Sequence, residues 1–156
     1  MKISDIIHSE AVNFDLKAKN KEEVIDELVT LLVNAETVEK KHKSKIIEVL
    51  LAREALGSTA IGQGIAIPHG KSEYVPEMVA GLGISKKGIN FDSLDGEPAH
   101  IFFLLLAPVD SAGPHLKALA RVSRLLKDKF FRESLKSVKS NKEILDLVSQ
   151  EDARIN

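Results

Sequence analysis

The chain has 156 residues, 44% hydrophobic and 29% charged, a length suited to one globular domain over 1–156 and a balance that excludes disordered and collagen-like chains. Its 22 basic and 23 acidic side chains leave a net charge of −1, so there is no basic footprint for nucleic acid or an anionic membrane surface, and neither partner is expected. With no cysteine, disulfides, zinc–thiolate sites, iron–sulfur clusters and thiol nucleophiles are excluded by inventory, and a cytoplasmic location is expected. No apolar run near the start has the length of a signal segment or a spanning helix.

In chain order, Val12, Phe14 and Leu16 alternate with Asn13 and Asp15, a period of two that predicts a short strand. Asn20 then offers an N-cap to a helix whose apolar positions are Val24, Ile25, Leu28, Val29, Leu31 and Leu32, with Glu22 and Glu23 in its first turn. A second helix is predicted from about Val38 to Leu56, with Ile46, Ile47, Val49, Leu50 and Leu51 inside and Gly57 as its stop. From Ser58 to Gly88 glycines punctuate short β-branched stretches, which read as strands and turns, among them Ile65–Ile67 and Met78–Ser85. Ile101 to Val109 is too short to span a membrane and reads as a strand buried on both faces. Pro114 is predicted at the first position of a helix striped by Leu116, Leu119, Ala120, Val122, Leu125 and Leu126. Two shorter helices follow, around Lys129–Val138 and Asn141–Ser149. Helices flanking a glycine-punctuated strand region predict an α/β fold, a three-layer α/β/α sandwich on one central, mixed sheet. The 62–67 and 78–105 stretches lie close enough for hairpins as well as crossovers, so periodicity alone leaves parallel pairing open.

Five histidines are the side chains whose charge changes near neutral pH. His8 and His42 lie among charged residues and read as surface positions, and His100 reads as a strand-edge residue. His69 differs: Pro68 before it removes a ladder donor and pushes Ile67 extended, so the strand is expected to end there with His69 at its tip and Gly70 clearing space beside it. His115 is expected in the first turn of the helix that follows Gly113 and Pro114, where free N–H groups and the positive dipole end suit an anion. No HExxH or paired-carboxylate spacing accompanies these histidines, so neither metal nor cofactor is expected.

The stretch Arg53–Ser72, REALGSTAIGQGIAIPHGKS, resembles the phosphorylation-site signature of the enzyme IIA domains of the fructose, mannitol and nitrogen-regulatory class of the bacterial phosphoenolpyruvate-dependent sugar phosphotransferase system. Glu54, Ile61-Gly62 and Ile65-Ala66-Ile67-Pro68-His69-Gly70 stand at that family's spacing, and LDGEPAHIFFLLLAP (94–108) with HLKALARVSRLLKD (115–128) forms a second similar block. The resemblance implies a cytoplasmic phosphohistidine carrier. A histidine phosphocarrier protein, charged by enzyme I, would pass a phosphoryl group to His69, and His69 would pass it to a cysteine of a IIB domain on another chain. In the nitrogen-type alternative, phosphorylation instead controls binding to a regulatory target protein. A lone IIA unit without linker, IIB cysteine motif or membrane span leans toward that alternative. By match, His115 is the second active-site histidine and Arg53 the arginine beside the phosphoryl group. Ser58, Thr59, Gln63, Gly70, Lys71 and Ser72 are further candidates for contact with it, and Gly57, Gly62, Gly64 and Gly70 are expected to leave room for partner surfaces.

Overall fold

The computed structural model describes residues 1–155. Six strands form one sheet: β1 (Ile7–Asn13), β2 (Ala60–Gly62), β3 (Ile65–Ala66), β4 (His69–Lys71), β5 (Val79–Ile89) and β6 (Ala99–Ala107). Their order is β1-β5-β6-β3-β2, and β4 also pairs with β6, on the edge that β3 uses. β1 runs parallel to β5, and β3 and β4 parallel to β6, whereas β5–β6 and β2–β3 are antiparallel, so the sheet is mixed.

β6 is central because its sequence, AHIFFLLLA, suits strands on both edges and helices on both faces. Its side chains alternate: Phe102, Leu104 and Leu106 join the core under the first two helices, while Ile101, Phe103 and Leu105 join the core under the last three. The first face is covered by α1 (Lys21–Asn34) and α2 (Lys43–Ala55), the second by α3 (Ala112–Leu125), α4 (Lys129–Lys136) and α5 (Asn141–Arg154). The result is the expected three-layer α/β/α sandwich. The expected cap forms, Asn20 accepting the Glu23 N–H at 2.9 Å, and the structure adds two more, Asp128 accepting that of Phe131 at 2.9 Å and Ser140 that of Glu143 at 3.2 Å. A buried ion pair, Arg121 Nε to Asp152 Oδ1 at 2.8 Å, ties α3 to the last turn of α5.

Four expectations need correction. The first strand is Ile7–Asn13 and not the alternating stretch around Phe14, because the Phe14 N–H donates to the Asn141 side chain at 2.9 Å. Leu16 then crosses to the other core, filling the space where a Cβ on Gly83 would lie 2.7 Å from its Cδ1. The second helix begins at Lys43, since Val38 inserts into the core and a 3-10 turn over 40–42 re-aims the chain. The third begins at Ala112, placing Pro114 third, and its buried stripe is His115, Ala118, Val122 and Leu125, with Leu116 67% exposed. The stripe includes a histidine, which a search for apolar positions passes over. The last helix continues beyond Ser149 to Arg154 because Asp152, buried against Arg121, holds its final turn.

Candidate active site

His69 owes its presentation to the break at Ile67-Pro68. Lacking an N–H, Pro68 interrupts the ladder that β3 makes with β6, while its carbonyl still accepts the Leu105 N–H at 3.0 Å. The expectation that the strand stops here is corrected: pairing resumes at once as β4, with His69 opposite Leu105. The interruption turns the Ile67 peptide out of the ladder. Its N–H donates to the Thr59 carbonyl at 3.0 Å, and its carbonyl lies 2.7 Å from His69 Nδ1. A carbonyl oxygen only accepts, so Nδ1 carries the proton and Nε2 of the half-buried ring keeps its lone pair. Gly70 is required for a reason other than the expected partner access: a Cβ there would lie 2.9 Å from Val49 Cγ1, so the space belongs to α2.

His115 is no surface residue. Its backbone N–H donates to the Ser111 carbonyl at 2.9 Å, the residue is only 6% exposed, and the ring centroid lies 5.7 Å from that of His69 with the planes tilted by 48°. Nε2 of His115 is buried without a hydrogen-bond partner. Burial first, and then the positive charge that His69 and Lys71 can bring nearby, lower its pKa below the ordinary imidazole value, so the ring is held neutral.

That displacement fixes a sign for pH dependence. Above about pH 6.5 both folded and unfolded His115 are neutral; below it the unfolded chain takes up a proton that the fold refuses, and stability falls until the folded protein is protonated as well. One such proton contributes a slope of up to about 1.4 kcal/mol per pH unit. Urea unfolding of wild type and His115→Asn between about pH 8 and about pH 5 should show the wild type losing stability relative to the variant as pH falls below about 6.5; parallel curves would contradict a neutral, buried imidazole.

Arg53 stands near the end of α2, where Nη1 donates to the Gly57 carbonyl at 2.8 Å. The segment it caps continues to Thr59, which holds Ile67, whose carbonyl holds the His69 ring. The polar candidates divide into two groups. Ser58 donates to the Phe91 carbonyl at 2.6 Å, Thr59 is buried against Glu54, and the hydroxyl of Ser72 accepts the Tyr74 N–H at 3.1 Å, so these hydroxyls are committed to the fold. Lys71 and Gln63 are exposed, Lys71 on the same strand as His69 and Gln63 in the β2–β3 turn. Gln63 (φ 59°) and Gly64 (φ 78°) make that two-residue turn, in which both positions need positive φ.

Sequence reasoning placed Glu54 in the signature without giving it a task. It is buried, accepts from the Thr59 N–H at 3.2 Å and from the Thr59 hydroxyl, and lies 3.3 Å from Lys21 Nζ. A carboxylate in the last turn of a helix, against the dipole, is the signal that marks it in sequence. The remaining histidines are structural: His8 Nδ1 accepts the Glu10 N–H, His42 stacks on Tyr74 at 4.1 Å, and His100 bonds the Ser85 carbonyl through Nδ1 at 2.9 Å. Among the described residues no helix is long and apolar enough to cross a membrane.

The structure thus brings together an imidazole whose Nδ1 is held by a carbonyl, a second, neutral imidazole and a helix start. Residues 5–151 match the family described as phosphoenolpyruvate-dependent sugar phosphotransferase system, EIIA 2, and the chain belongs to it. Members of that family are phosphotransfer components. The fructose-specific EIIABC component of Bacillus subtilis (strain 168) is 39% identical over 152 residues, covering 97% of this chain and 24% of that protein, so the chain spans about a quarter of that relative. The nitrogen regulatory protein of Bradyrhizobium diazoefficiens is 36% identical over 149 residues, 96% of this chain and 95% of that protein. The crystal structure of nitrogen regulatory protein IIA-Ntr from Neisseria meningitidis matches with a TM-score of 0.83 at 32% identity, covering 94% of this chain and 98% of that one.

Proposed function

We propose that the protein is a phosphohistidine carrier in which His69 Nε2 accepts a phosphoryl group from a histidine phosphocarrier protein and yields it to a IIB cysteine. The observation that carries this reading is the 2.7 Å contact between His69 Nδ1 and the Ile67 carbonyl, which leaves Nε2 as the free nucleophile. In the transfer a bond forms from Nε2 to phosphorus while the donor's nitrogen–phosphorus bond breaks, and the Nδ1 proton stays in place. The ring gains positive charge, so its hydrogen bond to Ile67 becomes charge-assisted and strengthens as the product forms. Phosphoryl transfer passes through a loose, in-line transition state and asks the protein mainly for position and positive or N–H-donating groups. Neutral His115, Arg53, Lys71 and the first amides of α3 are the groups available, and they require no cofactor or metal. Leu116, 67% exposed beside His115, and Val109, 60% exposed in the β6–α3 loop, offer apolar contact to a docked protein.

Cytoplasmic enzyme I, the histidine phosphocarrier and labelled phosphoenolpyruvate should together load one phosphate per chain, stable in base and labile in acid. A chain left unlabelled would end this reading. The likeness to nitrogen regulatory IIA-Ntr over nearly the whole length supports a second reading, in which the same phosphohistidine controls binding to a regulatory target protein. A loaded chain that passes no phosphate to any IIB cysteine, yet binds a target differently before and after loading, would favour it.

A further inference from the structure

We propose that Glu54, with Lys21 as its counter-ion, is a positioning residue for His69: it holds the Thr59–Ile67 connection that decides which nitrogen of the His69 ring carries the proton. The inference rests on His69 being the phosphoryl acceptor. The starting point is that both charges stand where their own helices disfavour them. Lys21 is the first residue of α1, at the positive end of that dipole, and Glu54 lies in the last turn of α2, at the negative end. Both are also largely withdrawn from water, with side chains 15% and 3% exposed. Helix stability therefore accounts for neither, and a buried ion pair is often no better for stability than apolar residues of the same size.

What the pair does is local. Glu54 accepts from both donors of Thr59, its N–H at 3.2 Å and its hydroxyl, which leaves that residue no freedom to rotate. Lys21 closes the arrangement from the other side, 3.3 Å from Glu54, 3.0 Å from Asp92 and 4.7 Å from the centre of the Phe91 ring. Phe91 in turn accepts the Ser58 hydroxyl at 2.6 Å. Held on both sides, the Thr59 carbonyl accepts the Ile67 N–H at 3.0 Å, and the Ile67 carbonyl lies 2.7 Å from His69 Nδ1. Pro68 stiffens the step between Ile67 and His69, so a displacement of Thr59 is passed on and not absorbed. Once that carbonyl drifts, the tautomer with its proton on Nε2, which has no lone pair to attack phosphorus, becomes accessible.

The test reads the ring directly. In protein labelled with nitrogen-15 at histidine, NMR of the unphosphorylated wild type above the imidazole titration should show His69 protonated at Nδ1. Glu54→Gln, which keeps the shape and loses the charge, should move both ring nitrogens of His69 toward averaged values and slow phosphoryl uptake by up to about 100-fold. Thr59→Val, which removes only the hydroxyl, reads the same link by a smaller shift of the same sign, and decides the matter if Glu54→Gln does not fold. Arg121→Met, which breaks the buried pair on the opposite face of the sheet, is the control for general loosening and should leave the His69 ring unchanged. Wild-type ring shifts in both Glu54→Gln and Thr59→Val would overturn the proposal, as would an equal shift in Arg121→Met. A tautomer shift in Glu54→Gln together with an unphosphorylatable wild type would uphold the positioning and overturn the carrier reading instead.

Discussion

His69→Asn is expected to abolish phosphoryl uptake while leaving the fold intact. The asparagine amide nitrogen takes nearly the place of Nδ1, so the hydrogen bond to the Ile67 carbonyl can be kept, and only the nucleophilic atom is deleted. Because the residue is half-buried and its ring bonds the Ile67 carbonyl, a bond the asparagine can keep, the cost in stability should stay within about 1 kcal/mol. His115 cannot substitute as acceptor. The residue is 6% exposed, and seating a phosphoryl dianion on its buried nitrogen would require desolvating that charge, whereas His69 is only half-buried. His115→Asn should accordingly still load, at a rate lower by about 100-fold if the lost group assisted the transition state. Equal labelling of wild type and His69→Asn in the presence of enzyme I, phosphocarrier and phosphoenolpyruvate would remove His69 from the chemistry.

How much of this was legible depended on how local the physics is. The setting of His69 was readable because Pro68 and Gly70 act on their immediate neighbours: one missing N–H frees the Ile67 carbonyl, and one missing Cβ lets α2 lie against β4. The buried run of β6 and the cap at Asn20 were equally local. The failures share a different cause. β1 has a weak alternation, and its identity as a strand comes from pairing with β5 some seventy residues away, across an irregular register between Ile7 and Val12. The rotation of α3 was misread because an apolar count credits Leu116 and ignores His115, although the ring of His115 is the one turned inward. Of the candidates drawn from the signature, Ser58 and Ser72 are bonded to backbone groups and Thr59 to the Glu54 carboxylate, which spacing alone cannot separate from contact with a ligand.

The two buried ion pairs sit on opposite faces of the sheet and serve its two halves: Lys21–Glu54 lies behind His69, and Arg121–Asp152 secures the helix that carries His115. Each pair links elements distant in sequence, the first joining α1 to the end of α2 and the second joining α3 to the end of α5. Of the two, the second is expected to matter more for stability, since its partners also close the chain's ends.

Arg121→Met is expected to destabilise the protein by about 3–5 kcal/mol, the cost typical of removing one partner of a buried pair. Arg121 reaches Asp152 Oδ1 through Nε at 2.8 Å and the Asp152 carbonyl through Nη2 at 2.9 Å, while Asp152 Oδ2 accepts the Ser4 N–H at 3.2 Å. One side chain thereby joins α3, the end of α5 and the first residues of the chain. Without the guanidinium, a carboxylate 1% exposed is left near the negative end of its own helix with Ser4 as its remaining hydrogen-bond partner. The loss should lower the melting temperature by roughly 10 °C in a chain of this length. Arg121→Met combined with Asp152→Leu removes the stranded charge as well and should recover much of the deficit, so the two substitutions are strongly non-additive. Urea unfolding of the two single variants and the double variant checks this; a double variant as unstable as the sum of the singles would mean that the pair contributes through packing and not through charge.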